Sequence, residues 1–426
     1  MDASAPRPPF TSASPALHFE VLARCSTTRA RVSRMTLPHG PVDTPTFMPV
    51  ATQATMKSVT SAQLESIDPP INLHLANTFH MSQRPTAELL DIVGGVHRYA
   101  GFRRNLLTDS GGFQMVSLVK LSRVEEEGVL FANPYDPSKS SLLTPERSMQ
   151  IQHSIGADIM MQLDDVVSSL TTGARMEEAM WRSIRWLDRC LAEHARSGKA
   201  TTQNLFAIVQ GGLDPILRDQ CLVAMTSPER AIQIPGYAIG GLSGGEEKTV
   251  FWQIVKQCAA KLPEDKPRYC MGIGYGEDLL VCAALGVDLA DCVYPTRTAR
   301  FGVALTFNGP LNLRSKIYSE DFSVIDPECS CATCDKGEGM SRAALAALVV
   351  GKEAASASAV TVHNLTYQSA LMHRAREAIM EDRFPQYLID FFAGFFKSKD
   401  KYPEWAVAAL QSVGVDLMTG VPTPKA

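Results

Sequence analysis

Cysteine is scarce here, and no apolar run is long. Ten cysteines in 426 residues fall well short of a disulfide scaffold. No uninterrupted hydrophobic stretch approaches the ~18 residues of a membrane span. Charge of one sign is missing too: 45 acidic against 41 basic side chains leave a net −4. That excludes a general nucleic-acid coat, but not a selective nucleic-acid enzyme whose cations are gathered locally. The opening Met1-Asp2-Ala3-Ser4-Ala5-Pro6-Arg7-Pro8-Pro9 lacks the basic-then-apolar order of a secretory signal, and its prolines oppose an amphipathic transit helix. What remains is ordinary globular composition, 45% apolar and 20% charged, enough for a sizeable core. Seven cysteines (Cys25, Cys190, Cys221, Cys258, Cys270, Cys282 and Cys292) are scattered among apolar neighbours. Such thiols fit a reducing compartment, the cytoplasm.

Short β-rich runs alternate with longer helical patterns, the signature of βα units on a parallel sheet. Eight runs are expected as core strands: residues 44–50, 71–75, 105–108, 158–163, 205–209, 237–239, 268–271 and 287–293. Among the helices 175–196 is clearest, because Met176, Met180, Ile184, Leu187 and Leu191 recur at spacings of three and four. Thr144-Pro145-Glu146, Asp214-Pro215 and Ser341-Arg342 each look like a cap residue opening a helix. No repeat at solenoid periods is evident.

The strand ends carry the fold argument. Apolar runs stop in Asp109-Ser110-Gly111-Gly112-Phe113-Gln114, Asp164-Asp165, Gln210-Gly211-Gly212, the glycine-rich stretch 240–245, Gly272-Ile273-Gly274-Tyr275-Gly276, and Asp291. In a closed parallel barrel all such ends meet at one rim. The expected class is therefore α/β, a (β/α)8 barrel, with a doubly wound sheet as the alternative. A disordered leader is expected over residues 1–16 and the barrel over 17–310. A metal-binding subdomain with closing helices follows over 311–398, and a tail over 399–426.

Several of these ends suggest chemistry, each with a plainer reading beside it. Asp109-Ser-Gly-Gly could be a turn and nothing more; at a strand tip, Asp109 can act on a substrate and Phe113 can stack on a flat ring. Asp164 could cap a helix, or accept hydrogen bonds from the N–H groups of a purine-like base. The stretches 240–245 and 272–276 fit neither phosphate-loop nor dinucleotide fingerprints, so their glycines point to close backbone approach. Arg297 and Arg300 follow Asp291 by six and nine residues and could hold phosphates. Together, Asp109 and Asp291 offer the two carboxylates of glycosidic-bond chemistry, a proton handler and a nucleophile. Cys329-x-Cys331-x-x-Cys334 suits a closed structural zinc site, with His363 favoured over His373 as the fourth ligand. The other histidines, His74 and His80 included, read as packing or surface residues.

Taken in order, these motifs are similar to those of the tRNA-guanine transglycosylase family. They are Asp109–Gln114, Gln210–Gly212, Gly240–Glu246, Asp291–Gly302 and the Cys329, Cys331, Cys334, His363 set. The resemblance runs from about His18 to the mid-390s and implies a (β/α)8 barrel with a zinc subdomain near the C-terminus. It also implies exchange of guanine at the tRNA wobble position for a 7-deazaguanine. On matching positions, Asp291 is implied as nucleophile and Asp109 as proton-transfer residue. Ser110, Gly111, Gly112, Asp164, Gln210, Gly241, Leu242 and Gly244 would line the base site, with Phe113 and Met271 sandwiching the ring. Gly272, Ile273, Gly274, Tyr275, Gly276, Glu277 and Asp278 would hold the anticodon loop, as would Thr296, Arg297, Thr298, Ala299 and Arg300. One zinc per chain would sit on Cys329, Cys331, Cys334 and His363, and no organic cofactor is needed. Bacterial members carry Val at Gly244 and Cys at Val166. The smaller residue at 244 leaves room for the cyclopentenediol of queuine, so the chain resembles the eukaryotic, queuine-inserting type acting on tRNAs with a GUN anticodon. That type implies a heterodimer with a non-catalytic homologue, or a homodimer in isolation, and peripheral association with the mitochondrial outer membrane. The interval from Cys334 to His363 is longer than the family pattern, with residues 354–359 as an insertion.

Overall fold

A computed structural model of the chain describes residues 14–112, 122–133 and 136–419. Three strands come first, β1 (His18–Arg24), β2 (Arg31–Leu37) and β3 (Gly40–Thr44), paired antiparallel. Then come β4 (Thr46–Pro49), β5 (Leu73–Ala76) and β6 (Asn105–Thr108). An antiparallel insertion of β7 (Ser122–Val124), β8 (Val129–Asn133) and β9 (Asp136–Leu143) intervenes. The main sheet resumes with β10 (Ile159–Met161), β11 (Asn204–Val209), β12 (Tyr237–Ile239), β13 (Arg268–Cys270) and β14 (Leu289–Cys292). Its eight parallel strands run in the order β4-β14-β13-β12-β11-β10-β6-β5. The two ends meet where Val50 bridges Leu75 and the Ala51 amide donates to the Leu75 carbonyl at 2.7 Å. The result is the expected (β/α)8 barrel, and each of the eight anticipated runs contributes a strand.

Side-chain alternation explains why β11 is buried from end to end. Phe206 and Ile208 point into the barrel interior, while Leu205, Ala207 and Val209 face the layer under the helices. The helix expected at 175–196 spans Ala174–Ser197 and buries Met176, Met180, Ile184, Leu187 and Leu191. Thr144, Asp214 and Ser341 all accept first-turn amides, worth about 1 kcal/mol per cap.

The first three strands close the barrel's N-terminal end. Leu17, Phe19, Met35, Leu37 and Val42 pack on the inward residues of the barrel strands. Arg31 on β2 holds Asp288, just before β14, through two bonds of 2.9 and 2.7 Å, both side chains fully buried. With that end plugged, the polar residues at the C-terminal ends of the strands stand at the opposite rim of the barrel. At the other extreme of the chain, helix Ala354–Met380 crosses β1, β2 and β4. The stretch expected as a tail from 399 carries helix Glu404–Gln411, which packs on helices Lys248–Lys261 and Gly276–Ala284. Ala406, Ala409 and Leu410 on that helix, and Val415 and Leu417 after it, are buried, so apolar burial continues to residue 417.

Candidate active site

Asp109 follows β6 directly and is held from three sides. Asn77 Nδ2 donates to its Oδ2 at 2.5 Å, and the amides of Thr78 and Gly111 donate to Oδ1 at 2.9 and 3.2 Å. Asn77 can do this because its Oδ1 is also the N-cap of helix Thr78–Gln83, which fixes its rotamer. Burial pushes the Asp109 carboxyl up to about 7 against those three donors, and the negative charge of Asp291 adds to the rise. A carboxyl group balanced near neutrality can give and take a proton at physiological pH.

Asp291 ends β14 and is held differently. Tyr269, an inward residue of β13, donates its hydroxyl to Asp291 Oδ1 at 2.5 Å, and the Gly272 amide donates to the same oxygen at 2.9 Å. No donor among the described residues reaches Oδ2. Burial raises the Asp291 pKa above its ordinary value, and the Tyr269 and Gly272 bonds offset part of that rise. The hydroxyl of Tyr269 is itself held well above its ordinary pKa, first by burial and then by the Asp291 charge, so it stays a donor.

Between these acids lies a polar wall. Asp164, only 2% exposed, accepts from Ser110 Oγ at 3.0 Å and from Gln210 Nε2 at 2.7 Å. Burial pushes its carboxyl up to about 6. Both of its oxygens keep a second lone pair for an incoming N–H. Gly112 packs so tightly here that a Cβ would stand 2.7 Å from Asp164 Oδ1 and 2.9 Å from Ser110 Oγ. On the far side, Gly240 abuts Gln210 and the Met271 sulfur. The loop continues through Gly241, whose φ of +68° suits glycine. Gly244 sits against Ser169, where an added Cβ would come within 2.7 Å of Oγ. The anticipated base-site residues thus meet at one rim; Phe113 lies outside the described residues.

The anticipated RNA segments divide by exposure. Ile273, Gly274, Gly276, Asp278, Thr296 and Ala299 are buried. Their positions reflect packing: a Cβ on Gly274 would strike Cys292 at 2.5 Å, and Asp278 pairs with Lys248 at 2.5 Å. Glu277 and Thr298 are half-buried, while Gly272, Tyr275, Arg297 and Arg300 face outward. Tyr275 and Tyr294 hold their ring centroids 4.4 Å apart.

Cys329, Cys331, Cys334 and His363 bring one ligand atom each within 4.8 Å of one another and could hold a metal ion. His363 Nδ1 lies 3.3 Å from Cys334 Sγ and 3.7 Å from Cys331 Sγ, and its Nε2 faces the Leu305 carbonyl at 2.8 Å. That outer hydrogen bond fixes the tautomer that leaves Nδ1 free to coordinate. His373, the competing ligand, instead faces Glu377 at 3.4 Å. Three sulfurs and one imidazole nitrogen are the donor set of a closed tetrahedral site.

Asn77, Thr78 and Tyr269 were not anticipated as site residues. Their only sequence signals were a polar pair at the end of the run 73–76 and an aromatic of inward parity on β13.

Fold and site together define a barrel enzyme with its carboxylates at the strand tips. The sequence model of the family described as Queuine tRNA-ribosyltransferase matches residues 25–397. The queuine tRNA-ribosyltransferase catalytic subunit of Schizosaccharomyces pombe is 52% identical over 414 residues, covering 96% of this chain and 100% of that protein. The protein of the same name from Caenorhabditis elegans is 44% identical over 415 residues, 94% of this chain and 100% of its own length. The queuine tRNA-ribosyltransferase of Shouchella clausii is 41% identical over 382 residues, 90% of this chain and 96% of that protein. This chain belongs to the queuine tRNA-ribosyltransferase family.

Proposed function

We propose that the protein exchanges guanine at the wobble position of tRNAs with a GUN anticodon for queuine, by double displacement at the ribose. Asp291 Oδ2 attacks the anomeric carbon; the carbon–N9 bond breaks, and guanine leaves with a proton supplied by Asp109. The ribose is then held as an ester of Asp291. The incoming base gives its N9 proton to Asp109 and attacks the same carbon, and the ester bond breaks. Two inversions conserve the configuration, and the ester keeps the tRNA bound while bases change places. A loop nucleotide is already unpaired, so its extrusion is inexpensive.

The observation that carries this reading is the contrast between two acids near enough for the charge of one to raise the pKa of the other. Asp291 has one oxygen doubly hydrogen-bonded and one that no donor among the described residues reaches, whereas Asp109 is balanced near pH 7. Asp164, Gln210 and the loop at Gly241 and Leu242 supply base-reading groups, with Met271 against the ring. Gly244 packs on Ser169, three residues beyond Val166, so the loops that carry positions 244 and 166 are neighbours. Gly272, Tyr275, Arg297 and Arg300 would be the exposed members of the RNA face.

Zinc is the metal assigned to the Cys329, Cys331, Cys334, His363 site, as a structural ion outside the reaction. Pairing with a non-catalytic homologue in the cytoplasm, or with a second copy, belongs to the same reading. Among the described residues no helix is long and apolar enough to cross a membrane, so an attachment to the mitochondrial outer membrane would be peripheral. The direct test is incorporation of labelled guanine into an anticodon stem-loop; no incorporation by the folded, metal-loaded protein refutes the reading.

A further inference from the structure

Arg218 is fully buried in helix Pro215–Met225, at 0% exposure, and no carboxylate among the described residues pairs with it. Its guanidinium instead collects three main-chain carbonyls: Nε donates to Gly212 at 2.8 Å, Nη1 to Val209 at 2.7 Å and Nη2 to Gly240 at 2.7 Å. Two of these carbonyls stand at the tips of adjacent strands. Val209 ends β11 and leads into Gln210, while Gly240 follows β12 and leads into Gly241 and Leu242. Burial lowers the pKa of Arg218, yet a guanidinium keeps its proton in proteins. A planar fork holds its acceptors in fixed directions, which the rotating ammonium of a lysine, with three donors of its own, does not.

Peptide planarity turns this clamp into a statement about recognition. The carbonyl of Gly240 and the amide of Gly241 belong to one trans peptide, so they point in opposite directions. With the carbonyl drawn toward Arg218, the Gly241 N–H must aim away from the helix. Neither Gly241 nor Leu242 finds an acceptor for its amide among the described residues, although the neighbouring Gly240 amide is satisfied by Val209 at 3.1 Å. Arg218 also lies within 3.6 Å of where a Gly241 Cβ would stand, with Gln210 Oε1 on the same side.

We propose that Arg218 is a positioning residue for base recognition. By locking the tips of β11 and β12 together, it aims the Gly241 amide at a carbonyl acceptor on the edge of the purine. The inference rests on the base-exchange reading and deepens it. The test compares guanine with 2-aminopurine, which lacks the 6-carbonyl acceptor, as competing bases for the whole protein with an anticodon stem-loop. In Arg218→Lys the preference for guanine should fall about tenfold, the size of one well-made hydrogen bond. The loss should sit in the KM for guanine, with the KM for RNA unchanged. Guanidinium ion added to Arg218→Ala should restore part of it. An equal loss with both bases, carried by kcat alone, would mean a purely structural role and overturn the proposal. Should neither variant fold, amide exchange on the unmodified protein decides: guanine must protect the Gly241 N–H, and absence of protection overturns the proposal. Failure of the unmodified protein to exchange guanine would instead sink the base-exchange reading.

Discussion

Tyr269 donates its hydroxyl to Asp291 Oδ1 at 2.5 Å, on the oxygen that also accepts the Gly272 amide at 2.9 Å. Two donors on one oxygen orient the carboxylate and, in the proposed reaction, leave Oδ2 to attack. Burial raises the Asp291 pKa, and these bonds offset part of that rise by favouring the charged form. Tyr269→Phe removes one of them. The rate of base exchange should fall roughly tenfold or more, as expected for losing a hydrogen bond to a charged group. The acid limb of the rate profile should move to higher pH, since the lost bond favoured the charged form. An unchanged profile would show that Tyr269 only packs.

The pH dependence of base departure should report Asp109. Its carboxyl lies near 7, raised chiefly by burial, and in the proposed reaction it carries the proton that guanine takes on leaving. The single-turnover rate should therefore decline as pH rises through about 7. Asn77→Ser keeps an N-cap oxygen for helix Thr78–Gln83 but loses the donor to Asp109 Oδ2. That donor lowers the Asp109 pKa, so the decline should move to higher pH in the variant. Movement to lower pH would contradict the assignment.

Asp164 should be a liability for stability. Its folded pKa of about 6 lies above the ordinary aspartate value of 3.8, so the folded chain retains a proton that the unfolded chain has released between those pH values. Stability is lost as pH rises through this window, and the full cost is present above it. Asp164→Asn removes that charge. Denaturant titration at pH 8 should show the variant more stable by roughly 1–3 kcal/mol, with the gain vanishing near pH 4, while base exchange is lost. A destabilised variant at pH 8 would mean that the carboxylate earns its place structurally.

Metal content should be one zinc per chain by elemental analysis. Cys331 and Cys334 share a hydrophobic cluster with Leu345, Val349, Val360 and Leu365, so releasing the ion would loosen that packing. Cys331→Ser should lose the metal and lower the melting temperature. His373→Ala, by contrast, should retain the ion, because His373 lies outside the cluster. A metal-free preparation with full activity would refute the assignment.

The barrel was legible because its strands announce themselves as apolar runs ending in Asp, Gln or Gly, and helices 145–155 and 174–197 through caps and apolar spacing. The run 44–50 divides at Pro45, which has no amide hydrogen to extend a ladder: Thr44 ends β3 and Thr46 opens β4. The insertion β7 to β9 was not legible, since polar stretches such as 136–143 pair only with one another and show little apolar alternation. Helix Glu404–Gln411 was missed because its apolar face is short. In the site, the carboxylates stood out at strand tips, whereas the groups that tune them did not. Asn77 reads as a helix cap, Tyr269 as core and Arg218 as an ordinary surface cation; their roles arise only from what the barrel sets beside them.

The central claim is that Asp291 bonds covalently to ribose. The protein should be incubated with an anticodon stem-loop containing the wobble guanosine and a base analogue that stalls the second displacement. It should then be denatured, resolved on a gel and mapped by peptide mass spectrometry. The account predicts an RNA-linked band whose adduct maps to Asp291, absent in Asp291→Asn and still formed, more slowly, in Tyr269→Phe. An adduct on Asp109, or robust exchange of labelled guanine by Asp291→Asn, would contradict it.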